Sequence, residues 1–176
     1  MTNEKIDMID AAPVTSRHPE VTSIEDVITF RLQRLVSINE RAGHQWSERM
    51  FDVSLNEWRL LALIVARAPT RAGDMSDALL MDKSQLSRVI KSLLKKALIR
   101  NMTDPNDGRA IALQPTSKGI ALHEKMMVEV LRSNERVLAP LDPKEVEALT
   151  TILDKLLDHT QELLSARLER ERRGLA

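Results

Sequence analysis

The chain has 176 residues, with 26 Lys and Arg balancing 26 Asp and Glu, 43% hydrophobic residues and no cysteine. That size fits one domain with extensions, and the lack of cysteine rules out disulfides, thiol redox switching and cysteine metal sites. Zero net charge leaves only local clusters to attract a polyanion, and aromatics limited to Phe30, Trp46, Phe51 and Trp58 are too few to stack single-stranded bases.

Residues 1–22 mix charges with Pro13 and Pro19 and lack periodicity, so a flexible N-terminal arm is expected there, with His18 a solvated side chain. The acidic, polar start does not resemble a signal, and no apolar run reaches the ~20 residues needed to span a bilayer. A soluble protein of the cytoplasm is the expectation.

Thr22 or Ser23 can cap a long helix, with Glu25 and Asp26 at its positive end. Its apolar face runs through Val27, Ile28, Leu32, Leu35, Ile38, Ala42 and Trp46, and Gly43 is expected to weaken it so that it ends near Gln45. His44, Trp46, Arg49, Met50 and Phe51 then fall in a connection. Ser54 with Glu57 makes a capping box for a second, buried helix that Pro69 ends. Thr70 can cap a short third helix, Arg71 to Leu80.

Asp82 is the next N-cap, and Leu86, Val89, Ile90, Leu93 and Leu94 recur at helical spacing behind it. The opposite face carries Ser84, Gln85, Ser87, Arg88 and Lys91. Between Lys83 and Arg100 there are basic residues and no acidic one. Two strands, Leu98 to Thr103 and Ala110 to Gln114, flank the turn from Asp104 to Gly108. A short helix, a tight turn and a basic polar-faced helix make a helix-turn-helix pattern, and the hairpin adds an arm beside it.

Thr116 or Ser117 caps a long helix from Lys118 to about Leu138. Pro140 and Pro143 break the chain, and Asp142 with Glu145 caps the last helix. Its stripe Val146, Leu149, Leu153, Leu156, Leu157, Leu163, Leu164 and Leu168 is close to heptad spacing. The predicted fold is mainly α with a small β wing. A central unit, residues 54–115, sits between a helix and connection at 23–53 and helices at 116–176. The flanking stripes are too long to be buried on ~60 residues, so a two-fold dimer is the economical solution.

No phosphate loop, dinucleotide fingerprint, zinc-protease or serine-hydrolase motif occurs. His18, His44, His123 and His159 are far apart. Asp104 and Asp107 read as turn chemistry, with Asp107 able to pair with Arg109. No enzyme, cofactor or metal is expected.

From Leu55 to Gly119 the chain resembles the winged helix-turn-helix core of MarR-family transcriptional regulators. The matching pieces are MDKSQLSRVIKSLLKKALI and DPNDGRAIALQPTSKG, with Asp104, Asp107, Arg109, Ile111, Leu113, Thr116 and Gly119 in the family's wing pattern. Gly108 departs from it where many relatives carry a second arginine. The resemblance implies a homodimer on a pseudo-palindromic operator in double-stranded DNA, associated with the nucleoid. Gln85, Ser87 and Arg88 would lie near base edges, and Lys83, Ser84 and Lys91 near phosphates. Arg109 would enter the minor groove with Asp107 orienting it, while Lys95 and Lys96 read as a solvated helix end. Such regulators are commonly repressors released by small aromatic acids. Here Asn39, His44, Trp46, Arg49 and Trp58 would form the pocket for an aromatic carboxylate. The alternatives are an effector-independent DNA binder of the same fold and a helical protein-interaction adaptor.

Overall fold

Capping chemistry sets most of the element boundaries. The computed structural model describes residues 21–105 and 107–174. The expected arm, with His18, therefore lies almost wholly outside the described residues. Ser23 does not start the long helix directly. It closes a 3-10 turn, Ile24–Asp26, by a reciprocal cap with Asp26, and Val27 is extended. Helix α1 then runs Ile28–Phe51.

This helix continues past Gln45 through the residues read as a connection. Gly43 does not end it, because Gly43 faces a tertiary contact. A Cβ there would sit 3.4 Å from both Leu55 methyls. Packing overrides the ~1 kcal/mol propensity cost of a glycine. Ser47 is fully buried, and Trp46 meets Phe51 edge-on with centroids 5.2 Å apart. The helix stops at Asp52, whose φ is 53°.

Helix α2, Leu55–Arg67, begins with the Ser54/Glu57 capping box. It supplies the centre of the core, where Leu60, Leu61 and Ile64 are fully buried. Helix α3 covers Ala72–Leu79. Thr70 does not act as expected. It exchanges both backbone hydrogen bonds with Leu113, at 3.2 and 2.8 Å, and Asp74 accepts from the Arg71 N–H instead. Helix α4, Lys83–Lys95, buries Leu86, Val89 and Leu93 and is capped by Asp82, which accepts from Gln85 N–H at 2.7 Å.

The wing pairs β1, Ile99–Asp104, with β2, Asp107–Pro115, in antiparallel register from Ile99↔Pro115 to Thr103↔Ile111. Helix α5, Ser117–Leu138, starts with Thr116 accepting from Gly119 N–H. Gly119 is obligatory, since a Cβ there would lie 2.0 Å from the Leu98 carbonyl oxygen. Helix α6, Pro143–Arg172, is capped by Asp142 and Glu145 as predicted and has no buried residue. No helix among the described residues is long and apolar enough to cross a membrane.

Candidate functional site

The α4 surface is built by period. Burial of Leu86, Val89 and Leu93 turns Lys83, Ser84, Ser87, Arg88 and Lys91 outward, and all five are exposed. Gln85 is half-buried, its backbone committed to the Asp82 cap. The helix N-terminus thus presents side chains of one sign on a rigid, internally packed rod. Beside it lies a groove of about 810 Å³, walled by Ala72 and Gly73 of α3, by Lys83, Ser87, Ile90 and Lys91 of α4, and by Asn101 and Ile111 of the wing. Ile111 is 65% exposed. Ile111 was named in the wing pattern but not as a groove wall, and Asn101 was not anticipated; the alternation of a two-stranded wing was the signal that could have found them.

The wing turn is held by a residue that sequence reasoning missed. Arg71, just before α3, places Nε 2.5 Å from buried Asp104 and Nη2 3.5 Å from Asp107. The hydrogen bond and charge of Asp104, then the charge of Asp107, raise the Arg71 pKa above its ordinary value. Asp107 Oδ1 also accepts from the Arg109 backbone N–H at 3.1 Å. The expected side-chain pair between Asp107 and Arg109 is replaced by this backbone bond. The Asp107 carboxylate turns to Arg71, and the exposed Arg109 guanidinium has no ion pair among the described residues. Nothing local marks the role of the Arg71 guanidinium, because Asp104, which its Nε meets, lies 33 residues away.

The base of α4 is tied down by a buried carboxylate. Glu57 accepts from Ser92 Oγ at 2.5 Å, Ser54 N–H at 2.7 Å and Lys96 Nζ at 3.1 Å. Lys96 also donates to the Asp52 carbonyl. Lys96 is therefore a cross-brace between the ends of α1, α2 and α4, which corrects its reading as a solvated helix end. Lys95 is exposed as expected.

The five residues expected to form an effector pocket do not converge. Asn39 and Trp46 line a cleft of about 470 Å³ with Gly43, Leu55 and, from α5, Glu129, Val130, Ser133, Asn134, Arg136 and Val137. His44 and Arg49 are exposed and outside it. Because α1 stays helical, positions 39, 43 and 46 share a face that 44 does not. Trp58 is core, 7% exposed and stacked on His123 with centroids 5.3 Å apart. The cation at the cleft is Arg136, a residue the sequence could not pair with Trp46. Among the described residues no group of three or more His, Asp or Glu is placed to hold a metal.

Comparison with known proteins finds a family match over part of the chain. Residues 51–110 match the model of the MarR family, whose members are transcriptional regulators and not enzymes. A search of curated sequences finds no significant match. Solved structures share the fold. MepR of S. aureus, crystallised with DNA, superposes with TM-score 0.69 at 21% identity over 78% of this chain and 99% of its own. A MarR/EmrR family regulator from Acinetobacter sp. ADP1 gives 0.70 at 22%, over 76% and 94%. PcaV of Streptomyces coelicolor, crystallised with its natural ligand, gives 0.63 at 21%, over 80% and 98%.

Proposed function

We infer that this chain, whose residues 51–110 match the MarR family model, is a homodimeric, sequence-specific DNA-binding repressor that a small anionic ligand releases from its operator. The observation that carries this reading is the outward face of α4. It is basic, free of acidic residues, and anchored by a buried apolar face and a capped N-terminus. A helix of that kind fits the major groove, and Arg109 on the hairpin suits the adjacent backbone or minor groove. Gln85, Ser87 and Arg88 are assigned to base edges, Lys83, Ser84 and Lys91 to phosphates, and Asp107 to holding the Arg109 backbone. That MepR was crystallised with DNA is in keeping with this assignment.

Apolar exposure supports a second subunit. Leu156, Leu157, Leu163, Leu164 and Leu168 are 42–60% exposed on α6, and Leu35 and Ile38 are 49% and 61% exposed on α1. A buried leucine contributes about 1.5–3 kcal/mol, against a total stability of about 5–15 kcal/mol for a domain. A stripe of this size is covered in the working molecule, and a two-fold copy covers it with itself.

The ligand is assigned to the cleft between α1 and α5. Trp46 offers an aromatic wall, Asn39 and Asn134 offer amides, and Arg136 offers a charge for a carboxylate. An aromatic carboxylate fits that chemistry, and PcaV was itself crystallised with a natural ligand. The test is fluorescence anisotropy on an operator duplex. Arg88→Ala is expected to cost about 1–3 kcal/mol of DNA affinity. Benzoate-class acids are expected to release DNA from the natural chain and much less readily from Arg136→Ala. Unchanged DNA affinity in Arg88→Ala, or indifference to every acid tried, contradicts the corresponding half of the reading.

A further inference from the structure

We propose that the junction of α1, α4 and α5 is a second ligand site, separate from the Trp46 cleft, that takes a small organic anion with an apolar body. The junction holds a cavity of about 650 Å³, within the range of small-molecule sites. Its floor is apolar, made by Phe51, Leu98 and Leu122. Its rim carries Lys95, Lys96, Lys118 and Lys125, against the single carboxylate of Asp52.

The charges on that rim are largely uncompensated. Lys96 is neutralised by Glu57. Lys118 spends a hydrogen bond on the Lys96 carbonyl at 2.8 Å and meets no carboxylate among the described residues. Lys95 and Lys125 have neither a hydrogen-bond nor an ion-pair partner among the described residues. Like charges around one concavity repel, and an anion seated among them removes that repulsion while making charge-assisted hydrogen bonds. A bare anion leaves the floor in water, and a duplex phosphate cannot reach an apolar floor without its sugars. A carboxylate or phosphate on a hydrocarbon body satisfies both surfaces. The occupant would sit where Lys96 braces α4 to the carbonyl that ends α1, so its binding would be felt by the α4 helix.

Calorimetry on the full chain tests this with octanoate as probe, octanol as its neutral counterpart and inorganic phosphate as the bare anion. Lys95→Gln/Lys125→Gln removes two side chains with no structural partner, so its melting temperature should match the natural chain. Lys125→Glu is the single-site check. Octanoate is expected to bind the natural chain and Arg136→Ala alike, to weaken roughly tenfold in the double variant, and to weaken in Lys125→Glu. Octanol should not bind, phosphate should bind much more weakly, and operator affinity without octanoate should be unchanged in the double variant. The proposal is overturned if octanoate fails to bind, binds the double variant as well as the natural chain, or is lost only in Arg136→Ala. Phosphate binding as tightly as octanoate overturns it too. So does a tenfold loss of operator affinity in the double variant, which would give these lysines to the DNA backbone.

Discussion

Glu57 joins folding to the orientation of α4. Burial raises its pKa, but hydrogen bonds from Ser92, the Ser54 N–H and Lys96, with the charge of Lys96, outweigh that and hold it below the ordinary 4.5. A carboxylate whose folded value is depressed adds stability above its unfolded value, and that share is lost as pH falls through the folded value. Thermal melts between pH 7 and 3 should therefore show the natural chain losing stability more steeply below pH 4.5 than Glu57→Gln. The variant should start lower at pH 7, by about 1–3 kcal/mol, because the charge-assisted bonds from Ser92 and Lys96 weaken. Parallel curves would show that the carboxylate's charge is irrelevant. Half of this network was legible. Ser54-x-x-Glu57 announces a capping box, because both partners lie within one turn. Ser92 and Lys96 join from 35 and 39 residues away, and no local pattern encodes them.

The helix caps at Ser54, Asp82 and Asp142 were readable, and that of α5 was narrowed to Thr116 or Ser117, because a cap is a short-range bond between neighbours. The extent of α1 was not, because Gly43 was judged by propensity while Leu55, from the next helix, decides its role. Two glycines separate these effects. Gly119→Ala drives a methyl into the Leu98 carbonyl where β1 meets α5. It should cost more than about 3 kcal/mol or abolish folding. Gly73→Ala, in α3 with nothing within 4 Å of the added methyl, should raise stability by about 0.5–1 kcal/mol. Chemical denaturation of both variants checks the pair, and equal effects would contradict the packing argument.

Across the whole molecule, the flanking helices carry the surface that the winged unit leaves uncovered. Their stripes were legible from period alone, since apolar spacing shows which face must be buried. What covers a face is a matter of tertiary and quaternary packing. That is why the expected pocket drew on α1 and Trp58 alone, whereas the cleft beside Trp46 is also lined by Arg136 of α5. If the proposed dimer packs through α6, Leu157→Glu/Leu164→Glu should sediment as a monomer while the winged unit keeps its helical signal. A variant that sediments as the natural chain does would remove α6 from the interface.

The central claim is that two copies of α4 read DNA together. The most direct test is selection of bound duplexes from a random pool by the full chain, followed by sequencing. The account predicts a pseudo-palindrome with half-site centres about 10 base pairs apart, or a multiple of that spacing, and no enrichment by Arg88→Ala. Enrichment of a single non-repeated motif, of no motif, or of the same palindrome by Arg88→Ala would contradict it.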